Sequence, residues 1–176
     1  MTVDPIAPTY LWRGPENKRP ENALIGVMYV GDNVRDRLAG FDYVVVNAAD
    51  LYYRNTGFSE QARATKLVGY EWDAVVDNGL TPSGLVVLAH SPTRPEEIAP
   101  GLLDTALASV SNAARYTAPS GAKVFASGSI QFAWGVDSGD VKNPRPDPRI
   151  KQFVINILGD MGAQPLTPDA GMIVPR

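Results

Sequence analysis

The sequence predicts an α/β fold, a layered mixed sheet with covering helices, and three observations predict it. Apolar runs bounded by glycine, proline or polar residues recur as ALIGVMYV, FDYVVVNAAD and SGLVVLAHSP, the signature of strands. TKLVGYEWDAVV alternates with a period of two. One segment near the C-terminus, residues 147–162, carries a helical apolar stripe. A chain of 176 residues suits a single core, so the expected organisation is an extended arm over residues 1–23 and one α/β domain over residues 24–176.

The arm is proline-rich and polar around TYLWR, with Trp12 as its one aromatic anchor, expected to lie over another surface. ALIGVMYV followed by GDN reads as a short strand and turn. FDYVVVNAAD reads as a buried strand because its centre is β-branched and aromatic. In TKLVGYEWDAVV, read as one strand, Leu67, Gly69, Glu71 and Asp73 share one face and Val68, Tyr70 and Trp72 the other. SGLVVLAHSP suits a strand covered on both faces and ending at His90. DTALASVSNAARY is compatible with helix or strand. TAPSGAKVFASGSIQFAWGVD begins with a P-S-G turn and continues as a long strand broken at Gly128, where a bulge or close backbone approach is expected. After the loop NPRPDP, Asp147 is an N-cap and Pro148 a first helical residue. Ile150, Phe153, Val154, Ile157, Leu158 and Met161 then fall on one face, and Gly162 closes the helix.

Composition excludes several function classes. The formal charge is -3 with no clustered basic excess, which argues against a nucleic-acid partner. The absence of cysteine removes disulfides, thiolate nucleophiles and cysteine-held metals. No run reaches the ~18 apolar residues of a membrane span, and the N-terminus lacks a leader pattern, so the expected location is cytoplasmic.

Three residues are candidates for chemistry. Glu71 is a general acid or base if burial tunes its carboxyl; its bland alternative is an ion-paired or loop-capping glutamate. Asp73 lies one pleat further on the same face, roughly 7 Å away, within reach of a cooperating carboxylate. His90 is the sole histidine and sits at a strand end, where open α/β sheets place ligands. Its alternative is an ordinary loop residue beside Ser91-Pro92. A triad using Ser91 or Ser129 has no nucleophile-elbow sequence behind it. Tyr52 and Tyr53 would point to opposite faces of a strand, so they do not chelate one ion together. GSIQFAWG reads as a core strand whose Gln131 needs a polar partner.

TYLWR, NTGF at residues 55–58, LVGYEWD, VVLAHSP, SGAKVFASGSIQFAWGVD and the closing helix with NILGDMGAQP, taken in this order, resemble the large (beta) subunit of N,N-dimethylformamidase and its relatives in their C-terminal domain. The resemblance implies a three-layer architecture of the class I glutamine-amidotransferase-like, flavodoxin-like kind, and hydrolysis of a small formamide to an amine and formate. It implies a mononuclear iron held by two tyrosines and a glutamate, with a further histidine and a second glutamate nearby. The second glutamate falls on Glu71. The iron ligands and that histidine align upstream of this chain's first residue, so the expectation is the C-terminal part of a larger family domain that does not fully ligate iron alone. It also implies a homo- or hetero-oligomer in which another chain supplies the missing N-terminal half, and a small-molecule substrate. His90 and the loop SEQARATK depart from the family pattern. The rival reading is a non-catalytic structural or interaction subunit that kept the fold and lost the site.

Overall fold

The structure is a computed structural model that describes residues 12–33, 35, 39–100, 102, 104–137 and 145–175. The expected arm is described from Trp12 onward, and its earlier part lies outside the described residues. In chain order the elements are α1 (Asn22–Ile25), β1 (Met28–Asp32), β2 (Phe41–Val44), β3 (Arg63–Val68), β4 (Glu71–Ala74), β5 (Val86–Pro92), β6 (Glu97–Ile98), β7 (Val110–Thr117), β8 (Lys123–Ala126) and α2 (Pro148–Asp160). Short 3-10 helices occupy Leu51–Tyr53, Thr105–Ser109 and Ile130–Gly135. Among the described residues no helix is long and apolar enough to cross a membrane.

The strands form sheets ordered β4-β1-β6, β2-β3 and β5-β7-β8. A bridge from Val45 to Ala89 and the bond from Val46 N to Leu88 O (3.1 Å) tie the second sheet to the third. The bridge from Trp72 to Ser129 ties β4 to the segment after β8. The α/β content is therefore present, but every strand pairing among the described residues is antiparallel. Antiparallel neighbours accept short connections, as between β7 and β8, whereas parallel neighbours need long crossovers.

Several local readings change. TKLVGYEWDAVV is two strands, β3 and β4, because the backbone turns at Gly69 (φ 143). There Ser129 Oγ both accepts from Gly69 N and donates to Gly69 O, each at 2.8 Å. A Cβ at Gly69 would lie 2.9 Å from Gln131 Oε1, so the turn needs glycine. GSIQFAWG is a 3-10 helix rather than a strand: Ser129 caps it by accepting from Gln131 N. Tyr52 and Tyr53 also sit in a 3-10 helix, both buried. β5 runs past His90 to Pro92. DTALASVSNAARY divides into a 3-10 helix and β7.

The C-terminal helix matches its sequence. Asp147 accepts from Arg149 N at the N-terminus. At the C-terminus Gly162 (φ 77) donates to Gly159 O and Ala163 N donates to Leu158 O, the paired bonds of a Schellman ending. Its inner face buries Ile150, Phe153 and Ile157. Phe153 meets Tyr43, Tyr52, Tyr53, Phe125 and Phe132 with ring centroids 4.7 to 6.4 Å apart. This aromatic cluster is the centre of the core, and α2 covers it.

Candidate functional site

β4 begins with Glu71 and alternates half-buried with buried residues, so Glu71 and Asp73 face outward while Trp72 and Ala74 face the core. Trp72 fixes that orientation: it is fully buried, donates Nε1–H to Ala108 O at 2.9 Å, and stacks edge-on against Phe41 at 5.5 Å. The tryptophan ring therefore lies on the core side of the strand, away from the two carboxylates. Asp73 is held further by the bond from its own N–H to Gly128 O at 2.9 Å.

Across from β4, β1 presents a face that the sequence reading missed. Tyr29 lies opposite Asp73 and Asp32 opposite Glu71, with an irregularity in the pairing between Tyr29 and Gly31. Two residues three apart in a regular strand point to opposite faces. The bulge brings them to one face, and the Tyr29 hydroxyl donates to Asp32 Oδ2 at 2.6 Å. Asp32 also pairs with Glu97 of β6, so Glu97, Asp32 and Glu71 form a row across three strands. Gly31 within MYVGD was the available signal, since an isolated glycine in a strand marks a bulge.

The charges on this face act on one another. Asp73 is pushed up from an ordinary 3.8 to about 6, first by burial, then by the negative charges of Glu21 and Glu71, with Arg13 opposing. Arg13 is itself engaged: it ion-pairs with Glu21 at 2.6 Å and donates Nη1–H to Tyr29 O at 2.7 Å. The Tyr29 hydroxyl is held well above the ordinary tyrosine range by burial, by its bond to Asp32, and by the charges of Asp32, Glu71 and Glu97. Asp32 is buried, and its Oδ1 has no hydrogen-bond partner among the described residues. A groove of about 350 Å³ reaches Arg13, and another of about 470 Å³ reaches Asn33, the residue after Asp32. Glu71 and Asp73 line neither groove.

The structure thus brings Glu71 and Asp73 together and sets His90 in a different sheet. His90 is exposed on β5, opposite Asn112 on β7, with Nδ1 3.2 Å from Asn112 Nδ2. Both serines considered for a triad serve the backbone: Ser91 Oγ accepts from Val44 N, and Ser129 Oγ is bound to Gly69. Among the described residues no group of three or more His, Asp or Glu side chains is arranged to hold a metal ion.

A family model described as N,N-dimethylformamidase beta subunit-like, C-terminal, matches residues 2–146. No curated protein matches the chain.

Proposed function

From the premise that the chain belongs to the N,N-dimethylformamidase beta subunit-like, C-terminal family, we propose that it is part of a hydrolase that cleaves the C–N bond of a small amide, with Glu71 as its proton-transfer residue. Hydrolysis requires a base to take a proton from the attacking water and an acid to deliver one to the departing nitrogen. Glu71 takes the first role, and Asp73, whose carboxyl is poised near pH 6, relays the second. The observation that carries the reading is this outward-facing, half-buried carboxylate pair. The resemblance implies iron; its ligands would come from another segment or chain, and the glutamine-amidotransferase-like architecture would belong to that larger assembly. The partner in this reading is a chain that completes the domain.

A second reading, a non-catalytic interaction subunit, draws on His90, which is bonded to Asn112 rather than set beside the carboxylates. Metal content and formamide hydrolysis of the native assembly discriminate the two. The hydrolase reading expects amine release from the wild type that falls by about 10²- to 10⁴-fold in Glu71→Gln, with a smaller loss and an altered pH profile in Asp73→Asn. Activity untouched by Glu71→Gln removes that residue from the chemistry. A wild-type assembly with neither metal nor amine release supports the interaction subunit.

A further inference from the structure

We propose that the apolar groove between Trp12 and the short helix α1 is a docking surface for an acidic, amphipathic segment of a different polypeptide chain. The proposal does not rest on the hydrolase reading and uses none of its residues.

The single turn of α1 inverts the usual polarity of burial. Asn22 is fully buried, bonded to Val76 O and joined to Asn78 by reciprocal amide bonds of 2.8 and 3.0 Å. Leu24 is 70% exposed, and Ile25 also faces out. Fraying does not account for this, because the Tyr116 hydroxyl donates to Leu24 O at 2.5 Å and Gly26 (φ 86) ends the helix by donating to Asn22 O at 3.0 Å. Trp12, 61% exposed, is displayed on a turn that is equally fixed. Arg19 N donates to Trp12 O at 2.9 Å and Lys18 N to Gly14 O at 2.8 Å, while Arg13 is locked onto Glu21 and Tyr29 O. Leu80 completes a groove of about 660 Å³. An indole and three aliphatic side chains held together in water are unfavourable for the isolated chain and suited to an interface.

The charges on the groove select the occupant. Lys18 and Arg19 line it, both exposed and without an ion pair among the described residues. Glu21, the acidic residue of the lining, is already neutralised by Arg13 at 2.6 Å. In a chain of net charge -3 this leaves a positive border on an apolar floor, which complements carboxylates flanking apolar anchors. A second copy docked two-fold on the same groove would set Lys18 and Arg19 against their own equivalents, so like charges oppose a symmetric dimer. A lipid surface receives apolar groups that protrude from a protein, whereas these line a concavity that accepts inserted side chains. Membership of a family described as beta subunit-like agrees with another chain as the occupant.

Photo-crosslinking in the native host tests the proposal without any assay of activity. The photoreactive residue p-benzoylphenylalanine replaces Ala23, an exposed residue of the groove, and in a control it replaces the fully exposed Leu166. Position 23 is expected to capture one segment of another chain, with Asp or Glu beside apolar residues, in a yield far above that at position 166. A synthetic peptide of that segment should bind the purified chain, more weakly as salt is raised. Trp12→Ala, and separately the double variant Lys18→Glu with Arg19→Glu, should each weaken its binding by about tenfold or more, with circular dichroism confirming an unchanged fold. The same peptide with lysine in place of its acidic residues should bind the double variant better than the wild type. Equal capture at the two positions, capture of a segment without acidic residues, or unaltered affinity in either variant would overturn the proposal. So would capture of a second copy, or of residues 1–11 of the same chain. Binding of the chain to phosphatidylserine vesicles that Trp12→Ala abolishes would overturn it in favour of a lipid surface.

Discussion

Asp73 is the residue whose surroundings make the sharpest demand. Its carboxyl lies near 6 in the folded protein against an ordinary 3.8, so between about pH 4 and pH 6 the folded state keeps a proton that the unfolded chain has released. The stability contributed by that proton is full below pH 4, declines as pH rises through 6, and is absent above it. Asp73→Asn should therefore be more stable than wild type at pH 8, by up to about 3 kcal/mol, and the advantage should vanish towards pH 4. Urea unfolding at both pH values checks this, and an advantage independent of pH would contradict it. That Glu71 and Asp73 share a face was legible from the period of two. That Asp73 is tuned was not, because the burial that raises it most, and the charge of Glu21 with Arg13 opposing, come only with folding. Asp32 was illegible for a similar reason: its place depends on a bulge that only Gly31 hints at.

At the scale of elements, β4 is positioned by its contact with the start of the segment after β8. Gly128 (φ 74) accepts from Asp73 N and from Ser111 Oγ, and a Cβ there would lie 2.1 Å from Asn112 O. Gly128→Ala must push β4 away from β7; a loss of about 2 to 4 kcal/mol is expected, with near-ultraviolet circular dichroism reporting a displaced Trp72. Phe153→Ala empties the centre of the aromatic cluster beneath α2, and should cost about 3 to 5 kcal/mol in chemical denaturation. The sequence showed α2 plainly because cap, stripe and closing glycine all agree locally. It misread GSIQFAWG because alternation of apolar residues was the visible signal, whereas the deciding interaction is the Ser129 hydroxyl clasping Gly69 from far away in the chain.

Over the whole molecule, the small antiparallel sheets among the described residues are tied together by the Val45–Ala89 and Trp72–Ser129 bridges, and α2 closes over the aromatic cluster. The strands were largely legible from composition, but their partners were not: no local pattern says that β1 lies between β4 and β6, or that β5 pairs with β7 across residues 93–109. That topology assembles the carboxylate face from residues that are distant in sequence, and it leaves His90 on another sheet. The family to which the chain belongs gives the proposed role of this face its chemical context. The most direct test of the proposed role is the rate of amine release from a small formamide by the native assembly carrying Glu71→Gln, with circular dichroism confirming an intact fold. A fall in kcat of about 10²-fold or more is predicted; a rate equal to that of the wild type would contradict the role of Glu71 in proton transfer.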